Sequence, residues 1–247
     1  MNTKEKGSEI AKNGFKNEDD IVEKFNNWKR DQEAKKWLTI MKYDISEIEY
    51  VRAVKISGHY KADIQVQVSI KLKKAIDVEN LQVKLVSNLR GFNQIDKREV
   101  ETYANMWPMP DYIISILKRY TGKEKPNIKH PLDPRRMNAN EFSANEQQKI
   151  LRWLKKNQVL IVSDILKGQG KFAAEWMLVA QRIGVNARWI LKPMNYCINF
   201  FGNGDIQITP RGNFRIGRIT MQRKGGDGGR ESAKMLQFKI NPAELFD

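Results

Sequence analysis

Lys61-Ala62-Asp63-Ile64-Gln65-Val66-Gln67-Val68-Ser69-Ile70, followed after a short interval by Leu81-Gln82-Val83-Lys84-Leu85-Val86, decides how this chain reads. In the first run Ile64, Val66, Val68 and Ile70 alternate with Asp63, Gln65, Gln67 and Ser69, the period-two pattern of a strand with one buried face. The second run alternates in the same way, so Gln82 and Lys84 share a face and Leu81, Val83 and Leu85 take the other. If the two strands are antiparallel neighbours, Asp63 reaches the face of Gln82 and Lys84. A carboxylate, an amide oxygen and an ammonium then converge in the pattern Asp-x18-Gln-x-Lys.

Working outward, Ile48 to Ile56 reads as a further strand, the Asp63 strand extends over Ala62 to Leu72, and Gly58 and residues 73–80 supply turns. Upstream, Ile21, Val22, Phe25, Trp28 and Trp37 recur near helical spacing and predict one long amphipathic helix from Asn17 to Leu38, with Glu18 in its first turn. Downstream, a helical stretch from Lys97 to Tyr120 is broken by Pro108 and Pro110. Residues 122–140, with Pro126, Pro131 and Pro134, read as an exposed connection between two halves, approximately 1–140 and 141–247, of a single compact chain. Ser143-Ala144-Asn145-Glu146 is a capping box ahead of a helix ending near Asn157. Val159 to Val162 is a strand candidate. Short strands are expected over Met177 to Ala180, Ala187 to Leu191, Asp205 to Ile208, Phe214 to Gln222 and Met235 to Ile240. The fold class is α/β or α+β, with a mixed central sheet flanked by helices.

Charge sets the partner class. Forty-four Lys and Arg against 29 Asp and Glu leave a formal +15, which points to a polyanion, duplex DNA foremost. The one cysteine, Cys197, excludes an internal disulfide framework and a cysteine-rich zinc site, and the simplest setting is reducing and cytoplasmic, with Cys197 a packed thiol in Tyr196-Cys197-Ile198-Asn199-Phe200. The N-terminal MNTKEKGSEIAKNG has no apolar core of a signal peptide, and no 18 apolar residues run together, so no membrane association is expected. His59 and His130 stand isolated and carry no motif.

The group types at Asp63, Gln82 and Lys84 are those that phosphodiester hydrolysis uses. Mg²⁺ takes oxygen ligands and keeps several waters, so a carboxylate and a carbonyl oxygen can anchor it beside a phosphate. Lys84 would position a water and offset developing negative charge. Glu18 is the natural additional carboxylate, although an acid in the first turn of a helix is also favoured by the macrodipole alone.

The pattern resembles the PD-(D/E)XK nuclease motif, with Gln82 where most members carry an acid. The chain as a whole is similar to the small monomeric type II restriction endonucleases of the HinP type, through NGFKNE (Asn13–Glu18), LQVKLVSNLRGFNQIDK (Leu81–Lys97), FAAEW (Phe172–Trp176), ARWIL (Ala187–Leu191) and QRKGGDGGRESAKMLQFKINPAELFD (Gln222–Asp247). The resemblance implies a PD-(D/E)XK core and Mg²⁺-dependent hydrolysis of duplex DNA at GCGC, before the first C, with Mn²⁺ able to substitute. It implies catalytic Asp63, Gln82, Lys84 and Glu18, and metal ligation by Asp63, Gln82 and Val83. It further implies a prokaryotic host with a protecting methyltransferase, and a monomer that nicks one strand at a time or pairs transiently on DNA. Ala62 stands where these relatives favour Ser and the broader superfamily Pro, so a local hydroxyl hydrogen bond is lost.

The residues expected to read DNA fall in three places. Phe92 is either a core residue or a wedge into a base step, with Asn93 and Gln94, and Lys97 beyond them, as polar contacts. The glycine-rich stretch Gln222 to Arg230 lets the main chain approach DNA, with Gln222, Arg223, Lys224, Asp227 and Arg230 facing base edges. Gln237 and Lys239 share one face of the final strand. Two other classes fit the same charge: a noncatalytic DNA-binding protein, in which Asp63 and Lys84 are replaceable, and a repair or recombination nuclease that cuts by DNA structure.

Overall fold

The computed structural model describes residues 3–58, 60–70, 75–184, 186–225 and 231–247. In chain order the elements are α1 (Thr3–Asn26), α2 (Gln32–Ile40), β1 (Ile48–Lys55), β2 (Ile64–Ile70), β3 (Ala75–Val86), β4 (Asn93–Arg98), α3 (Val100–Met106), α4 (Asp111–Thr121), α5 (Ala144–Lys156), α6 (Gln158–Leu166), β5 (Trp176–Ile183), β6 (Asn186–Pro193), α7 (Met194–Gly202), β7 (Ile206–Ile208), β8 (Phe214–Ile216), β9 (Ile219–Arg223) and β10 (Leu236–Ile240). They form two compact units, one made of Met1–Gly91, Lys167–Cys197 and Asn241–Asp247, the other of Phe92–Leu166 and Ile198–Ile240. The proline-bearing segment 122–140 lies inside the second unit.

The first unit is built on a five-stranded mixed sheet in the order β1-β2-β3-β5-β6. β1, β2 and β3 run antiparallel with Ala53 opposite Val66 and Ile64 opposite Leu81; β3 and β5 are parallel, and β6 returns antiparallel. The alternation read in the sequence fixes this register, because a one-residue slip would turn Ile64, Val66 and Val68 out of the core. They are fully buried, in one cluster with Leu81, Val83 and Leu178 from the sheet and Ile21, Phe25, Trp28, Trp37 and Leu38 from α1 and α2. Each such side chain contributes roughly 1.5–3 kcal/mol by leaving water.

Two expectations for this unit change. The single helix over Asn17 to Leu38 is two helices: α1 starts already at Thr3, which puts Glu18 in its later half rather than in a first turn, and ends where the Asn26 side chain turns to the β1 main chain, accepting from Ala53 N at 2.8 Å, while Asp31 starts α2 by accepting from Ala34 N at 2.9 Å. Residues 75–80, expected in a turn, extend β3 upstream. Ile76 and Val78 there are exposed, so this half of the strand has no buried face to announce it.

The second unit holds a five-stranded antiparallel sheet, β4-β10-β9-β8-β7, separate from the expected central sheet. One of its faces carries Phe238, Met221 and Phe214, which pack on Tyr103, Trp107 and Tyr120 of the helical side; the Tyr103 and Tyr120 rings lie 5.5 Å from Phe238 and 5.1 Å from Phe214. The proline break is as expected, with α3 ending at Met106 and α4 starting at Asp111, and the capping box at Ser143 and Glu146 is formed in both directions. The helix expected from Lys97 starts only at Val100, because residues 93–98 form β4. Val159 to Val162 is helical rather than extended: Ile161, Val162, Ile165 and Leu166 are buried at helical spacing in α6. Phe214 to Gln222 is a hairpin of two strands. Gly217 turns it at φ 55°, where a Cβ would stand 2.5 Å from Asn203 O, so only glycine fits. Cys197 lies fully buried in α7, as expected of a packed thiol. Among the described residues no helix is long and apolar enough to cross a membrane.

Candidate active site and nucleic-acid face

In the first unit, Asp63 sits just before β2, its main chain held on both sides: Asp63 N donates to Leu81 O at 2.8 Å and Ile56 N donates to Asp63 O at 2.9 Å. β2 pairs only from Ile64 onward, so the next β3 amide lacks a main-chain partner on that side. The Asp63 carboxylate takes the place of one, with Val83 N donating to its Oδ2 at 2.7 Å. This bond locks the carboxylate onto the strand that bears Gln82 and Lys84. The Lys84 ammonium lies 4.0 Å from the same oxygen, an ion pair too long for a direct hydrogen bond, in a partly shielded position.

Gln82 is 2% exposed, and its Oε1 has no hydrogen-bond partner among the described residues. An orphaned buried amide oxygen costs about 1–3 kcal/mol, so its position beside Asp63 calls for a partner from outside the chain. An oxygen-seeking cation meets that need. No group of three or more His, Cys, Asp or Glu converges among the described residues, so any metal here is held by an oxygen set in which an amide replaces one carboxylate.

Glu18 joins the same electrostatic cluster. Burial pushes its carboxyl up to about 7, the Asp63 charge adds to the rise, and Lys55 and Lys84 oppose it. Lys55 reaches Glu18 at 3.8 Å and Asp19 at 2.9 Å. Two further residues went unnoticed in the sequence. Asn17, next to Glu18, is 1% exposed with both side-chain polar atoms unpartnered. Glu175, within FAAEW, accepts from Asn80 N at 3.0 Å through its carboxylate and bonds Asn80 O through its main chain, fixing β3 just before Leu81. No local pattern marks a long-range tie of this kind.

In the second unit, the sheet face opposite the helices is polar. Lys97, Gln237 and Gln222 stand abreast on β4, β10 and β9, and Gln94 and Lys239 pair beyond a bulge at Ile95 of β4. Gln237 is buried, and Lys239 is partly buried, its ammonium held below the usual lysine range by burial and then by the charge of Lys224. Among the described residues Lys239 has no ion pair. Phe92 is 52% exposed, against a core role, and Asn93 opens β4. Arg223 lies on the other face. Its guanidinium donates to Met137 O at 2.7 Å and Asn138 Oδ1 at 2.6 Å and sits over the Tyr120 ring. The Lys224 carbonyl accepts from Arg136 at 3.0 Å. Asp227 and Arg230 lie outside the described residues.

An acid just before β2 and a lysine on the neighbouring β3 of a mixed sheet follow the PD-(D/E)XK nuclease plan, with Gln82 in the place of its second acid. Residues 41–246 match the family model described as R.HinP1I restriction endonuclease. The chain belongs to this family, and with it to the restriction-endonuclease-like nucleases of duplex DNA, whose catalysis depends on metal. Among solved structures the chain is similar to restriction endonuclease MspI, determined in complex with its cognate DNA. The identity is 15% and the TM-score 0.68, over 97% of this chain and 93% of that one, a likeness of fold. No curated protein matches. Glu18 precedes the residues matched to the family.

Proposed function

We propose that this chain is a Mg²⁺-dependent type II restriction endonuclease that hydrolyses duplex DNA at GCGC. The observation that carries the proposal is the convergence of the Asp63 carboxylate, the unpartnered Gln82 oxygen and the Lys84 ammonium at the end of one strand pair. Asp63, Gln82 and Val83 would hold Mg²⁺, which when bound polarises the phosphoryl group and makes a water more acidic. Lys84 orients the attacking water and balances negative charge as the phosphorus–oxygen bond forms. The Val83 amide fixes the Asp63 carboxylate on the strand that bears Gln82 and Lys84, where it would face the metal. Glu18, in the same electrostatic cluster as Asp63 and Lys84, would accept a proton from that water once a bound cation favours its ionised form.

Phe92 and the polar face bearing Gln94, Lys97, Gln222, Gln237 and Lys239 supply base and phosphate contacts, with Asn93, Lys224, Asp227 and Arg230 at their margins. Amide side chains can donate to and accept from base edges, and the lysines can donate to guanine. Arg223 braces residues 137–138 rather than facing a base. The protein acts as a monomer that nicks one strand at a time, in a prokaryotic cell with a methyltransferase protecting host sites.

The test is digestion of a sequenced plasmid with and without Mg²⁺ by wild type and Lys84→Ala, with end mapping. Metal-dependent cuts confined to GCGC, and at least about 10²-fold slower with Lys84→Ala, support the proposal. Cuts at DNA junctions regardless of sequence point to a structure-specific nuclease, and DNA binding by folded wild type without cutting points to a noncatalytic protein.

A further inference from the structure

On α5 the exposed side carries Lys149, Arg152, Lys155 and Lys156, and none of the four has an ion pair among the described residues. The macrodipole accounts for cations in the last turn, Lys155 and Lys156, but not for Lys149 and Arg152 a turn or more earlier. Lys149, Arg152 and Lys156 line a concavity of about 300 Å³ with Pro108, Pro110 and Tyr112, and the Lys149 ammonium stands 5.5 Å from the Tyr112 ring. Asp111, which precedes Tyr112 in the chain, pairs with none of these cations among the described residues. Four cations left facing solvent along one helix repel one another, an arrangement relieved by a polyanion.

Geometry separates this patch from the polar sheet face of the same unit. Ile150, Trp153 and Leu154 are the buried side of α5, and Trp153 packs 6.4 Å from Trp107, which in turn lies 6.0 Å from Phe238 on the apolar side of the sheet. The exposed side of α5 therefore looks away from the face bearing Lys97, Gln237 and Lys239, with a helical layer about 10 Å thick and the sheet between them.

We propose that the cationic side of α5 is a second DNA-binding surface, which grips the sugar-phosphate backbone of a duplex segment other than the one being cut. It rests on the proposed nuclease function for the claim that duplex DNA is the polyanion. From Lys149 to Lys156 the helix rises about 10 Å. Phosphates on one strand recur about every 3.4 Å of axis, so the stretch matches about three of them. Contacts made only to phosphates carry no sequence preference. The surface would keep the enzyme on a long DNA molecule while the active site is engaged elsewhere.

The experiment uses full-length wild type and the triple variant Lys149→Ala, Arg152→Ala, Lys156→Ala, whose changes are exposed and helix-compatible. Protein is loaded on an immobilised short duplex with one GCGC site, without Mg²⁺, and capture of a labelled duplex lacking the site is measured against salt. Cutting of the short duplex with Mg²⁺ is measured in parallel. The expected result is that wild type captures the second duplex, the variant captures it on the order of 10²-fold less well at 0.1 M salt, and both cut the short duplex at the same rate. Equal capture by wild type and variant overturns the inference, leaving the cations a solvated face. Equal loss of capture and of cutting also overturns it, because the patch then belongs to the primary contact. If wild type neither binds nor cuts the short duplex, the nuclease proposal fails, and this inference with it.

Discussion

Replacing Glu18 by Gln should make the metal-free protein more stable, and only at high pH. Glu18 ordinarily ionises at 4.5 and in the folded chain at about 7, because burial and the Asp63 charge disfavour its anion more than Lys55 and Lys84 favour it. Below pH 4.5 the group is protonated in both folded and unfolded chains and costs nothing. As pH rises from 4.5 through about 7, the unfolded chain releases the proton that the folded chain still holds, so stability falls, and above 7 the fold carries the full cost of the buried anion. At about 1.4 kcal/mol per pH unit the cost reaches about 3 kcal/mol, and about 2 kcal/mol once solvent screening of a side chain one fifth exposed is allowed for. Gln has nothing to ionise. Urea denaturation of wild type and Glu18→Gln in chelator, followed by tryptophan fluorescence, should give equal stability near pH 4 and a variant about 2 kcal/mol more stable near pH 8.5. A difference independent of pH, or a variant less stable at pH 8.5, refutes the placement of Glu18 in the Asp63–Lys84 cluster. Mg²⁺ should then stabilise wild type more than the variant, since a cation near Asp63 offsets the anion that the variant lacks.

Three further outcomes follow from other contacts. Gln82→Glu adds a carboxylate where the orphaned amide oxygen stands, so half-maximal cleavage should need several-fold less Mg²⁺, about 1 kcal/mol of added attraction; an unchanged requirement removes Gln82 from the metal site. Arg223→Ala strands Met137 O and Asn138 Oδ1 and should lower stability by about 2 kcal/mol in urea while slowing cleavage equally at GCGC and at one-base variants of it; a selective loss at GCGC would make Arg223 a base reader. Gln237→Ala should narrow the ratio of cutting at GCGC to cutting at one-base variants by about 1–3 kcal/mol, and an unchanged ratio removes that sheet face from readout.

The parts of the fold legible in the sequence are those where a local signal and the final packing agree. β2 alternates and is buried on one side, Ser143 and Glu146 cap a helix that exists, and Pro108 and Pro110 break one that could not pass through them. The misread parts are those where packing settles a local ambiguity. Four apolar residues from Val159 to Val162 fit a strand or a buried helix equally, and the Asn157 carbonyl, accepting from Ile161 N at 2.9 Å, decides for the helix. The Asp31 cap that divides α1 from α2 sits among charges that also suit a continuous helix. The second sheet has no signal in the sequence because its strands are short and one of them, β10, pairs with residues far upstream in β4.

For the site, the same contrast separates residues by the range of the interaction that gives them a role. Asp63, Gln82 and Lys84 could be brought together on paper because a strand pair converts sequence spacing into position, with period two along each strand and a fixed register across. Glu18 could be named but not placed, since nothing in a helical pattern says which strand a residue in the later half of α1 will meet; its 3.8 Å approach to Lys55 of β1 supplies the placement. Asn17 and Glu175 gave no local signal at all, one being a buried amide with no partner in the chain and the other a tie across ninety-five positions of sequence. The same limit explains Arg223. Its neighbours in a glycine-rich basic stretch made it look like a base reader, while the partners that hold it, Met137 and Asn138, lie in a segment whose prolines gave no hint of what they would meet. A cation in a basic loop is thus assigned by what its guanidinium already binds, and those that remain uncommitted on the polar sheet face, Lys97 and Lys239, are the ones left with charge to offer a phosphate or a base.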